Sequence, residues 1–240
     1  MFGHLFKLFK TIFLKLAFTF FILPLGGCNL SFHIQLLITR MQRAAWLLLF
    51  VTLFSESSGQ YKWKLEKDRD GIKVFVSDVA GSGFKAVKVE CTLNGTYEKL
   101  ISILSNVTRN DEWVYNSKTN IVVSQNTAHD FVYYTETHLP WPVNNRDVVI
   151  HLRIQTDNLP HSLTVTGRAR QSVLPELPGI VRMKHYVANW KVTMPTSNTI
   201  RIEYVMEIDP GGSLPSWLAN MFVDKGPYET FKNLAERLKK

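Results

Sequence analysis

The chain of 240 residues is 45% apolar and 20% charged, enough for one large domain or two small ones with an ordinary core, which excludes a disordered chain. Two cysteines, Cys28 and Cys91, exclude a disulfide-stapled scaffold and a cysteine-based zinc cluster, and 13 Gly and 10 Pro without a period exclude a collagen-like chain. The formal charge of +8 is shared between an N-terminal part, residues 1–59, with five Lys/Arg against one acid, and a remainder with 23 against 19, too mild a surplus for nucleic acid to be the main partner.

Residues Met41 to Gln60 have a short basic start, an apolar run from Ala44 to Phe54 and a small-residue exit, the pattern of a secretory signal peptide. That run is too short to cross a bilayer, which takes about 20 residues. A second apolar stretch, Thr11 to Leu25, lies upstream and ends in Leu25-Gly26-Gly27-Cys28. Two readings follow. In one the natural start is Met41, residues 1–40 are an over-extended frame, and 41–59 are the signal peptide. In the other, Leu-Gly-Gly-Cys resembles a bacterial lipobox and Cys28 carries a lipid anchor. Both divide the chain into an export region, 1–59, and a domain, 60–240, outside the cytoplasm. The first makes that domain periplasmic or secreted; the second makes it a membrane-anchored lipoprotein.

From Tyr61 onward the apolar residues alternate with a period of two, the mark of half-buried strands. Ile72, Val74 and Val76 follow an Asp70-Gly71 turn, and Phe84 to Leu93 form the next strand. The period then lengthens: Leu100, Ile101, Leu104 and Val107 predict an amphipathic helix with Thr96 as its N-cap. After Trp113 strands are predicted over Asn120–Ser124, Asp130–Leu139, Asp147–Thr156, Ser162–Gln171, Ile180–Thr193 and Thr199–Asp209, joined as an antiparallel meander. One face is apolar in several of them: Val148, Ile150, Leu152, Ile154; Leu163, Val165, Gly167, Ala169; Ile200, Ile202, Tyr204, Met206, Ile208. The other face carries His151, Arg153, Arg168, Arg201, Glu203 and Glu207, so one side of the sheet is dry and the other wet. A helix is predicted from about Pro215 to the C-terminus, capped by Ser213, with an apolar stripe of Leu218, Met221, Phe222, Phe231, Leu234 and Leu238 and a kink at Gly226-Pro227. A long helix over the dry face of a curved sheet leaves an interior that packs solid or holds a ligand.

Three segments carry a resemblance: Trp141-Pro142-Val143-Asn144-Asn145-Arg146-Asp147, Gly179 to Tyr186, and Asp209-Pro210-Gly211-Gly212 through Trp217 to Asn220. In order and spacing they are similar to motifs of the START family, the steroidogenic acute regulatory protein-related lipid transfer domains, over nearly all of residues 61–238. The resemblance implies an α+β helix-grip fold, a curved antiparallel β-sheet wrapped around a long C-terminal helix, with one lipid in the tunnel between them. It also implies an exported bacterial member that binds and transfers a hydrophobic ligand and is not an enzyme. Cyclases and hydrolases of the wider helix-grip superfamily are the alternative, using the same cavity. Phosphatidylcholine-binding members hold choline in an aromatic cage and meet the phosphate with an arginine. Aligned on Trp113, Pro140 and Arg146-Asp147, two cage positions fall on Thr135 and Val148, only Tyr186 keeps a ring, and the arginine position falls on Asn110 beside Arg109. A lipid or sterol-like ligand with a small polar end, able to hydrogen-bond Thr135 or Tyr186, suits these residues better than phosphatidylcholine.

The candidate ligand-binding residues are Trp113, Tyr133, Thr135, Thr137, Val148, Ile150 and Leu152 with Tyr186, Tyr204, Leu218 and Phe222. Trp141, Arg146 and Asp147 have two readings: a loop that gates the tunnel mouth and meets a membrane, or a packed ring beside an ion pair or turn cap that sets strand register. Glu136 and His138 alternate with the pocket-facing threonines and read as solvated neighbours rather than an acid–base pair. The histidines His129, His138, His151, His161 and His185 lack metal-ligand spacing, and no nucleophile or nucleotide motif is present, so no catalytic residue, metal or cofactor is expected. A monomer with transient membrane contact and no nucleic-acid partner completes the expectation.

Overall fold

The computed structural model describes residues 61–81, 85–212, 218 and 221–240. The expected export region with Met41 and Cys28, and the helix start at Ser213 and Pro215, lie outside the described residues. Strands β1 (Lys64–Arg69) and β2 (Ile72–Asp78) form a hairpin. Its turn residues, Asp70 and Gly71, both have positive φ, 53° and 73°, the backbone that a tight two-residue hairpin requires. After β3 (Lys85–Asn94), helix α1 (Tyr97–Ser105) starts where predicted: the Thr96 hydroxyl accepts the Lys99 N–H at 3.3 Å, and Leu100, Ile103 and Leu104 are buried. A 3-10 turn, Val107–Glu112, leads into β4 (Ser117–Thr127), β5 (Asp130–Thr137), β6 (Asn145–Gln155) and β7 (Leu163–Ala169). The chain continues through β8 (Ile180–Arg182), β9 (His185–Thr196) and β10 (Thr199–Asp209) to a π-helical turn, Met221–Lys225, and helix α2 (Gly226–Lys239).

The fold is α+β and of the helix-grip type, one curved sheet closed by the C-terminal helix. The strand order is β1-β2-β3-β10-β9-β7-β6-β5-β4. A simple meander would leave β3 and β10 apart; instead they pair antiparallel over Lys85–Asn94 and Thr199–Ile208, and the crossover through α1 carries the chain to the far edge at β4. The strand expected over Ile180–Thr193 is two strands. β8 pairs in parallel with the start of β6, because Arg182 is drawn to Asp147 and the Met183 N–H donates to the Asp147 carbonyl. Only after Lys184 does the chain enter the slot between β7 and β10.

The dry face is the one the alternation marked: Val148, Ile150, Leu163, Val165, Ile200 and Ile202 are almost fully buried, whereas Arg153, Arg168, Arg201 and Glu203 are exposed. Helix α2 covers this face with Phe231, Leu234 and Leu238, and Leu238 lies against Gly95, where an added Cβ would sit 3.0 Å from its Cδ2. The break expected at Gly226-Pro227 is a change of helix type. A Cβ on Gly226 would lie 2.4 Å from the Met221 carbonyl oxygen, so the wide π turn closes only over a glycine.

Candidate functional site: a cavity between sheet and C-terminal helix

Where α2 crosses the sheet, Phe231 stacks on Trp190 and Tyr204 with ring centroids 5.2 and 5.3 Å apart. Beside this cluster the sheet curves away from the helix and leaves a cavity of about 180 Å³. Its floor is Tyr133, Thr135 and Thr137 of β5 with Val148, Ile150 and Leu152 of β6. One wall is Tyr186, Trp190, Tyr204 and Met206 of β9 and β10; Asn110, Trp113, Met221, Phe222 and Phe231 close the helical side. The Tyr186 ring lies over Gly167, where a Cβ would be in van der Waals contact with Tyr186 Cε1 at 3.4 Å.

Ten of the eleven candidate ligand-binding residues line this cavity. Leu218 does not. It is fully buried, and Met221 and Phe222 line the cavity. Met206 and Phe231 were already on the dry face and the helix stripe, so periodicity held the signal for them. Met183 and Asn110, both in the lining, sit in irregular segments where no period marks the inward side.

Among the described residues, no lining side chain is charged. The polar groups are phenols, threonines, one amide and the indoles of Trp113 and Trp190. Burial pushes the Tyr133 and Tyr204 hydroxyls well above the ordinary phenol value and Tyr186 in the same direction, so all three stay neutral at working pH. Tyr186 and Tyr204 meet through their hydroxyls. Thr135 Oγ1 donates to Asn120 Oδ1 at 2.8 Å, and Thr230 Oγ1 accepts the Tyr115 N–H at 3.1 Å. Two lining groups differ: Asn110 Oδ1 and Trp113 Nε1 are buried and have no hydrogen-bond partner among the described residues. No group of three His, Cys, Asp or Glu among the described residues is placed to hold a metal ion.

The residues expected at a gate lie outside the lining. Arg146 and Asp147 do not pair with each other. The Arg146 guanidinium, 3% exposed, donates to the carbonyls of Asn144, Pro210 and Gly211, tying the Trp141 loop to the turn after β10. Asp147 takes Arg182 in a buried bidentate pair, Nε at 2.7 Å and Nη2 at 3.0 Å. Trp141 is 91% exposed, which removes the packed-ring reading. Glu136 corrects its expectation as well: it is a buried carboxylate accepting from Lys118, Thr119 and Asn145, while His138 is exposed. The alternation placed Glu136 on the outer face, but the start of β6 is buried on both faces, so an outward side chain there is covered. Arg109 points away from the cavity, paired with Glu112 and lining a separate basic depression with Lys99, Arg237 and Lys240.

The START domain profile matches residues 55–240. The chain belongs to the START domain family. An uncharacterized protein of Pseudomonas aeruginosa is 33% identical over 179 residues, covering 74% of this chain and 87% of that protein. The phosphatidylcholine transfer protein of Homo sapiens is 26% identical over 183 residues, 72% of this chain and 82% of its own. Among solved structures, the crystal structure of a STAR-related lipid transfer protein from Xanthomonas axonopodis superposes with a TM-score of 0.66 at 31% identity, covering 74% of this chain and 99% of that one. In this START domain Thr135, Val148, Tyr186 and Asn110, the residues that the resemblance sets at the choline-cage and arginine positions, all line one cavity.

Proposed function

We propose that this START domain binds a lipid or sterol-like hydrophobic ligand in the cavity between sheet and α2 and carries it between membrane surfaces, without catalysing a reaction. The observation that carries this reading is a cavity walled by apolar and aromatic side chains with no charged group among the described residues. An apolar ligand moved there from water gains about 25 cal/mol per Å² of buried surface. A zwitterionic head group would lose its hydration with no counter-charge to replace it, and one ring, Tyr186, holds a quaternary ammonium poorly. We therefore place an uncharged ligand ahead of phosphatidylcholine. A cyclase or hydrolase would call for an acid or base such as a carboxylate, histidine, lysine or cysteine at the cavity wall, and the lining among the described residues has none of these. Ligand-binding roles are proposed for Trp113, Tyr133, Thr135, Thr137, Val148, Ile150, Leu152, Tyr186, Tyr204 and Phe222.

Trp141 is proposed to touch the membrane, on a loop that Arg146 and Asp147 hold in place at the tunnel mouth. The protein is proposed to act as a monomer in the periplasm or outside the cell, after removal of residues up to about Gln60, or as a lipoprotein anchored through Cys28. N-terminal sequencing and mass determination of the processed protein separate these two. The main test is solvent extraction and mass spectrometry of the purified protein, followed by uptake from mixed lipids. A bound or captured apolar species is expected; a protein that carries none and takes up none refutes the reading.

A further inference from the structure

Two polar groups at the cavity, an acceptor and a donor, are fully buried without a partner among the described residues, and they belong to one turn of chain. Asn110 lies near the end of the 3-10 turn, and Trp113, three residues on, is its C-cap. The turn is closed by the Trp113 N–H donating to the Asn110 carbonyl at 3.2 Å and the Val114 N–H to the same oxygen at 2.7 Å. Both residues are 5% exposed, and both line the cavity. A buried acceptor and a buried donor each cost stability while unmatched, so their presence in the lining of one cavity calls for an occupant that answers both. Three other lining hydroxyls are engaged: Thr135 donates to Asn120, and those of Tyr186 and Tyr204 meet each other.

We infer that the ligand of this cavity is an uncharged amphiphile with a terminal hydroxyl, which donates to Asn110 Oδ1 and accepts from Trp113 Nε1 while its apolar body lies along Val148, Ile150 and Leu152. A hydroxyl has one donor and accepting lone pairs, the set the two orphaned atoms need. A carboxylate would face Asn110 Oδ1 with a like partial charge and find no cation in the lining. An ether could satisfy Trp113 but not Asn110. Asn110 and Trp113 are thus specificity-determining residues, an inference that rests on the apolar-ligand reading above.

The test titrates the delipidated protein with 1-decanol, decyl methyl ether and decanoate above the acid's pKa, by calorimetry or displacement of a bound fluorophore. The alcohol is expected to bind at least about fivefold more tightly than the ether, since one hydrogen bond to a buried acceptor is gained. Decanoate is expected to be the weakest. Asn110→Leu is expected to erase the alcohol–ether difference, with circular dichroism and the unfolding midpoint reporting that the variant is folded. Trp113→Phe is expected to weaken alcohol and ether together. Equal affinity for alcohol and ether in the unmutated protein overturns the inference, as does a preference that survives Asn110→Leu. Both of those outcomes leave apolar binding intact. Failure of all three probes to bind overturns the apolar-ligand reading itself.

Discussion

Replacing Asp147 by Asn strands a buried guanidinium. The Arg182 side chain is 6% exposed and the Asp147 side chain 1%, and the carboxylate takes both Nε and Nη2. Removing one member of such a pair costs about 3–5 kcal/mol, because the remaining charge keeps its desolvation without its counter-ion. Arg182 retains the carbonyls of Leu174 and Pro175, which puts the expected loss near the lower end, about 3 kcal/mol. Urea unfolding of the unmutated protein, Asp147→Asn, Arg182→Met and the double variant Asp147→Leu/Arg182→Met measures this from midpoint and slope. The double variant should lose less than the two single changes summed, since both charges leave together. Ligand affinity should fall in Asp147→Asn as well, because Met183, next to Arg182, lines the cavity and its N–H donates to the Asp147 carbonyl. A loss within about 1 kcal/mol, the range of a solvent-screened surface pair, would refute the argument. It would mean that backbone hydrogen bonds alone hold β8 against β6.

Gly226→Ala places a Cβ 2.4 Å from the Met221 carbonyl oxygen, so thermal unfolding should show a loss of about 1–3 kcal/mol, whereas the flexible Leu238 tip should make Gly95→Ala milder. Burial raises the pKa of Glu136, but bonds from Asn145, Thr119 and Lys118 outweigh it and hold the carboxyl below its ordinary 4.5. Its contribution to stability is therefore complete above pH 4.5 and lost as pH falls through the lower folded value. Stability measured against pH should decline less steeply below that point in Glu136→Gln than in the unmutated protein, and equal slopes would show that Glu136 is not the group titrating. Trp141→Ala, at a residue 91% exposed, should change stability by no more than about 0.5 kcal/mol while reducing cosedimentation with vesicles. Unchanged vesicle binding would remove this ring from the membrane contact.

Much of this molecule was legible one segment at a time. Alternation found β10 at its observed ends, Thr199 and Asp209, and sorted Ile200, Ile202 and Tyr204 from Arg201 and Glu203, because the pleat sends successive side chains to opposite faces whatever lies beside the strand. Thr96 declared a helix start because a cap bond spans only three residues. The three motif segments, taken together, pointed to the family. What alternation could not decide was neighbourhood. The pairing of β3 with β10, the split of Ile180–Thr193 around Arg182, and the burial of Glu136 depend on partners that the fold brings from elsewhere in the chain. The pair between Asp147 and Arg182 spans 35 residues, and neither residue carries a local mark of the other. The same holds at the cavity. Val148, Ile150 and Leu152 read as inward because a strand repeats, but Asn110 and Trp113 sit on an irregular turn. Only the packing of that turn against sheet and helix left one acceptor and one donor unmatched.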